Sequence, residues 1–155
     1  MEEVKRAFIY SLRTLTRRDH SEAELRRKLT GREFSAEVAE ETIVRLKESG
    51  YLDDKRFALN WAESTVRNGR GYGYRVRFEL SRRGIAEEIA AEVIAQLSTD
   101  FGEAEMLRAL LLKKFPGFDP LSADERQRRR IIGYLQRRGF SLTAVLQALR
   151  AADSV

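Results

Sequence analysis

Arginine is the residue type whose number and spacing in this chain could do chemistry. Arg126, Arg128, Arg129 and Arg130 fall within five consecutive positions, and Arg137 and Arg138 follow shortly after. Two smaller runs stand earlier: Arg26, Arg27, Lys28 and Arg32, then Arg75, Arg77, Arg82 and Arg83. A guanidinium is a planar fork of donors that grips a phosphate or a carboxylate through two bonds at once. The chemistry implied is recognition of an anionic partner, either nucleic acid or an acidic protein groove.

The other candidate constellations fall short of a reaction. His20, the single histidine, sits in RRDHSE with no nucleophile or acid placed beside it, and one histidine cannot build a histidine metal cluster. Asp53 and Asp54 could hold a metal, yet Asp53 is explained as a helix N-cap and no third ligand is spaced to join them. The glycines of GRGYG, Gly69, Gly71 and Gly73, lack the Lys-Ser/Thr pair of a phosphate loop and follow a helix where such a loop follows a strand. That segment reads as a flexible, hinge-like turn. With no cysteine, disulfides and thiolate metal sites are excluded. No catalytic constellation and no cofactor site emerge, so the chain reads as a binding protein and not as an enzyme.

The elements that must position the arginines are helices. Ser21-x-x-Glu24 and Ser122-x-x-Glu125 fit capping boxes, Ser35 and Ser141 fit simple N-caps, and Gly31, Gly50, Gly84, Gly102, Gly117 and Gly139 fall near expected helix ends. From Gly50 to Ile85 the spacing predicts a helix entered at Asp53, a glycine-rich break, and a basic helix that stops at Gly84. Leu52 before the cap and Phe57 after it are spaced as a hydrophobic staple. No segment of useful length alternates with period two, so the fold class is all-α.

The helices recur in threes. LTGREF, LSRRGI and LQRRGF align with Phe34, Ile85 and Phe140 as anchors, 51 and 55 residues apart. Nine residues earlier stand Leu25, Val76 and Ile131; five earlier, Leu29, Leu80 and Leu135; two earlier, Arg32, Arg83 and Arg138; nine later, Ile43, Ile94 and Leu149. A further amphipathic helix precedes each pair, the second carrying Phe57, Trp61, Ala62 and Val66, with Trp61 expected in the core. This period predicts tandem three-helix repeats over 1–50, 51–98 and 99–155, an elongated and curved array.

Charge sorts by helix type. Lys and Arg number 29 against 24 acidic residues, a net charge of +5, and the arginine runs all fall in second helices. The third helices of the first two repeats carry Glu37, Glu40, Glu41 and Glu48, then Glu87, Glu88 and Glu92. Two readings stay open for those repeats: a basic stripe facing a partner, or ion pairs between neighbouring helices, worth under ~1 kcal/mol each. In the third repeat no acid precedes Asp153 in the third helix, so Arg126–Arg130 is the foremost candidate for a polyanion contact. Phe78 points away from Val76 and Leu80, which suits either a partner contact or packing on a neighbouring repeat.

Gly50, Tyr51, Leu52, Asp53 and Asp54 (GYLDD), followed by Arg56 and Phe57, then Gly71 and Gly73 of GYG, and Glu79, Leu80, Gly84 and Ile85, stand in the order and spacing of one protein family. On these residues the chain resembles RecX, the bacterial regulators of the RecA recombinase. It departs from the family at Tyr74, where proline commonly follows GYG, and at Phe78, where basic residues or glutamine are usual. The resemblance implies tandem three-helix repeats, mostly structural roles for the motif residues, and a part in DNA repair, homologous recombination and the SOS response. It further implies that the chain binds the RecA filament, touching single- or double-stranded DNA directly or through the filament, and mostly inhibits strand exchange and DNA-dependent ATP hydrolysis. The alternative is a stand-alone DNA-binding regulator with tandem helix-turn-helix modules. No membrane segment or signal is apparent, and a monomer in the cytoplasm is expected.

Overall fold

The computed structural model describes residues 1–151. Among them every regular element is a helix: α1 Glu2–Arg17, α2 Glu22–Gly31, α3 Ala36–Glu48, α4 Asp54–Arg67, α5 Tyr74–Arg82, α6 Glu87–Asp100, α7 Glu103–Lys114, α8 Glu125–Arg137 and α9 Leu142–Ala151. They form three tandem three-helix repeats. Asp153 lies outside the described residues.

Local chemistry sets most boundaries. Ser21 and Glu24 form a complete capping box at the start of α2. Ser35 and Ser141 accept the backbone N–H groups of Val38 and Ala144, both at 3.2 Å. Asp53 accepts that of Arg56 at 3.1 Å. The expected box at Ser122 does not form: Asp124 caps α8 by accepting the Gln127 N–H at 2.8 Å, and Ser122 donates to Asp119. An aspartate next to the first helical residue outcompetes a serine two positions farther back, because only the nearer side chain reaches the free amides of the first turn.

Each second helix ends in the same backbone turn. The anchor amides of Phe34, Ile85 and Phe140 bond to the carbonyls of Leu29, Leu80 and Leu135 at 3.1–3.2 Å, while Glu33, Gly84 and Gly139 bond to the carbonyls of Thr30, Ser81 and Gln136 at 3.0 Å. This double closure needs a left-handed residue just before the anchor. Glu33, Gly84 and Gly139 fill that position with φ of 68°, 82° and 109°. Gly31, expected to end α2, is its last helical residue, and Glu33 makes the left-handed turn instead.

Two compact units emerge. The first comprises Met1–Asn60 with Leu80–Ala90, the second Trp61–Glu79 with Ala91–Val155. In the first, α1 and α2 pack on α3 around Ala7, Leu25, Leu29, Ile43, Leu46 and Leu52. In the second, α7 and α8 pack on α9, burying Leu107, Leu110, Ile131, Leu135, Val145 and Leu149. Fully burying one such side chain contributes about 1.5–3 kcal/mol. Of the expected apolar positions, Phe34, Trp61 and Ile94 are only half-buried, and Val93 takes the core side of α6.

Within each unit a turn from one repeat sits on the start of the preceding repeat's second helix. In the first, the Ser21 hydroxyl donates to the Arg83 carbonyl at 2.6 Å, and a Cβ on Gly84 would lie 2.2 Å from that of Ala23. In the second, the Tyr72 N–H donates to the Arg138 carbonyl at 2.8 Å. Ser21 and Tyr72 are equivalent positions, as are Arg83 and Arg138. The GRGYG segment is therefore a packed turn: Tyr72 is buried, stacks on Phe140 at 5.2 Å and donates its hydroxyl to Phe101 at 2.7 Å. Ser21→Ala removes a cap and the partner of a carbonyl together, and we expect it to cost about 2–3 kcal/mol in urea unfolding. A loss below half a kcal/mol would contradict the seam's importance.

Candidate nucleic-acid interface

The arginine run of the third repeat divides between two sides of α8. Ile131 and Leu135 are buried, and Arg128 lies toward that side, where its guanidinium donates to the Pro120 carbonyl in the loop before the helix. Arg126, Arg130 and Arg137 recur at i, i+4 and i+11 on the opposite side and are exposed, with Arg129 beside them. Gly133 lies in the same stripe. A Cβ there would meet the Arg137 Nη1 at 3.1 Å, so that guanidinium lies over bare backbone. Arg129 meets Glu125 at 3.6 Å with side chains 77% and 82% exposed, an ion pair worth little in water. The third repeat thus has an acidic neighbour inside α8 itself, but only for one of the four cations on this face.

Arginines of the other second helices are more engaged. Arg26 pairs with Glu40 on α3, and Lys47 of α3 pairs with Glu22 at 2.8 Å, so ion pairing between α2 and α3 accounts for part of the first run. Arg27 is exposed on α2. Arg32 lies over the Tyr10 ring at 5.0 Å. On α5, Arg75 pairs with Glu79 at 3.1 Å and approaches the exposed Phe78 ring at 6.0 Å, and none of Arg77, Arg82 and Arg83 is free. Arg138 donates to the Arg70 carbonyl at 3.1 Å and covers the Tyr134 ring at 5.1 Å. The face that stands clear is Arg126, Arg130 and Arg137, with Arg129 beside them in its exposed pair with Glu125.

Sequence reasoning passed over the cations of α1. Arg13 and Arg17, with Arg18 just past the helix end, line a cleft of about 470 Å³ with Lys28 of α2 and Arg32 in the turn after it. The i, i+4 spacing of Arg13 and Arg17 was the available signal; their α2 neighbours follow only from helix packing.

The GYLDD segment builds a clasp at the entry to α4. Gly50 turns left-handed at φ 79°, and the Tyr51 N–H closes on the Leu46 carbonyl at 2.9 Å. The Arg56 guanidinium then donates to the carbonyls of Gly50 and Tyr51 at 3.2 and 3.4 Å. Leu52 and Phe57 are buried. Asp54 accepts the Glu22 N–H at 2.8 Å and so caps α2 from another repeat. Burial raises the Asp54 carboxyl above its usual range, the Glu22 N–H opposes this, and the Glu22 charge adds to it. Gly71 is buried in the packed turn and Gly73 is left-handed at φ 50°. Tyr74, at a departure from the family pattern, is exposed yet donates its hydroxyl to the Gln136 carbonyl at 2.6 Å. Among the described residues no group of acidic or histidine side chains could hold a metal ion, and no helix is long and apolar enough to cross a membrane.

Comparison with known proteins places this architecture. The sequence matches the models of the first, second and third three-helix domains of RecX over residues 7–46, 53–94 and 102–149. The chain belongs to the RecX family. Relatives named regulatory protein RecX include one from Trichlorobacter lovleyi, 42% identical over 140 residues, covering 90% of this chain and 91% of that one. Another, from Syntrophotalea carbinolica, is 37% identical over 141 residues, covering 91% and 92%. The crystal structure of RecX from Lactobacillus salivarius matches with a TM-score of 0.82 over 99% of both chains at 18% identity. A crystal structure of a regulatory protein RecX matches with a TM-score of 0.79 at 21% identity, covering 96% of this chain and 72% of that one. These two share the fold.

Proposed function

We propose that this chain binds the RecA–DNA filament and restrains it, lowering strand exchange and DNA-dependent ATP hydrolysis. Membership of the RecX family supports RecA as the partner, and the exposed arginine face of α8 is the observation that carries the binding mode. Four guanidiniums on one side of a helix suit backbone phosphates or a carboxylate-lined groove. The chain acts through differential affinity for filament states, and hydrolysis belongs to RecA. The repeats run over 1–50, 51–98 and 99–155, and the protein works as a cytoplasmic monomer.

The test titrates the protein into RecA filaments hydrolysing ATP on DNA, beside a binding assay on the same DNA alone. We expect inhibition at ratios too low to coat the DNA. Undiminished hydrolysis at equimolar protein removes the proposal. If tight binding to bare duplex with a steep salt dependence accompanies it, the arginine face serves a stand-alone DNA-binding regulator.

A further inference from the structure

We propose that the cleft between α1 and α2 of the first repeat is a phosphate-binding site, separate from the α8 face and independent of any action on RecA. Five cations, Arg13, Arg17, Arg18, Lys28 and Arg32, line it, and none of its described lining residues is acidic. Glu24, which meets Arg18 at 3.4 Å, is already held at 3.1 Å by the Ser21 N–H of the capping box. A concave site lined by one sign of charge concentrates counter-ions, and an anion would relieve the mutual repulsion of its walls.

The inner wall carries a second, independent sign of an anion. His20 lines the cleft and is only 2% exposed, and its Nδ1 lies 3.0 Å from the Arg18 carbonyl. A carbonyl can only accept, so Nδ1 bears the proton. Nε2 is then a buried lone pair with no partner. Burial first, then the positive charges of Arg18 and Lys28, lower the imidazole pKa against the opposing Arg18 carbonyl bond and Glu24 charge. Arg13 and Arg17 from α1 and Arg32 from the turn after α2 line the same space. Negative charge in the cleft would reverse the cationic contribution, protonate Nε2 and turn it into a donor.

The lining selects phosphate over bases. Besides the buried His20 imidazole, Tyr10 supplies the aromatic ring of the cleft wall, and it is flanked by Arg32 at 5.0 Å and Phe34 at 6.4 Å. With Arg32 already over this ring, the cleft favours the phosphate of a ligand over its base. The Thr14 hydroxyl is likewise committed as a donor to the Tyr10 carbonyl. A volume near 470 Å³ exceeds one phosphate and accommodates a nucleotide-sized segment. The ligand is a phosphate group read without regard to sequence, carried by a nucleic-acid strand or by a free phosphate.

His20 is the only histidine, so one imidazole resonance reports on the site. Without RecA, the protein is titrated with pH in the presence of inorganic phosphate, thymidine monophosphate or an oligothymidylate. We expect the imidazole midpoint to move up, and oligothymidylate binding to strengthen as pH falls through the bound-state midpoint, since the complex holds the extra proton. A response to the oligonucleotide at concentrations where the small anions do nothing identifies a strand as the source; a response to inorganic phosphate identifies a free anion. Arg17→Gln with Lys28→Gln, both exposed, should abolish the midpoint shift and flatten the salt dependence by about 1.4, roughly 0.7 for each cation removed. Arg126→Gln with Arg130→Gln should leave the midpoint shift intact. A midpoint unmoved by all three probes, or a shift retained by the Arg17/Lys28 variant, overturns the proposal.

Discussion

Gly139→Ala should lower stability by about 3–5 kcal/mol, the largest effect we expect of any single methyl group in the chain. Two independent costs meet at this position. Its φ of 109° lies where an L residue is strained. A Cβ would also stand 1.8 Å from the Tyr72 carbonyl oxygen and 2.8 Å from the Arg75 Cβ, so backbone has to move. Gly50 helps separate the two terms: it too is left-handed, at φ 79°, but has nothing within 4 Å of a built Cβ. Gly50→Ala should therefore cost only about 1–2 kcal/mol. Urea unfolding of both variants, followed by far-ultraviolet circular dichroism, decides the matter; equal losses would mean that the close approach at Tyr72 contributes nothing.

The second large effect is on binding. Arg126→Ala, Arg130→Ala and Arg137→Ala together should weaken DNA or filament binding and, on bare duplex, lower the slope of log affinity against log salt by about 2.7, roughly 0.9 for each phosphate left without its arginine. Helicity should stay unchanged, because all three side chains are exposed. Arg128 belongs outside this set. Its bond to the Pro120 carbonyl makes Arg128→Ala a change in how the loop before α8 is held, with stability as its readout. Binding by the triple variant with an undiminished salt slope would remove α8 from the interface.

The all-α class and the threefold recurrence were legible because their signals are local. A cap, an apolar stripe and a left-handed turn each span a few residues, and the register set by Phe34, Ile85 and Phe140 coincides with three matching pairs of backbone bonds. Competition between neighbouring signals was harder to read, as where Asp124 displaced Ser122. Charge was legible as composition but not as availability. Whether an arginine is free depends on groups far away in sequence: Arg138 on the Arg70 carbonyl, Arg26 on Glu40, Arg32 on Tyr10. The α1–α2 cleft was hidden for the same reason, since Arg17 and Lys28 meet only through packing.

The seams between repeats rest on main-chain acceptors, the carbonyls of Arg83 and Arg138. Hydrogen bonds to a carbonyl do not depend on the side chain attached to it. Natural selection at such a joint therefore acts on whether the chain can turn left and come close, and leaves most surrounding side chains free to drift. A chain 18% identical to this one can then keep the same fold, at a TM-score of 0.82. Within such a lineage, joints should age slowly and surfaces quickly.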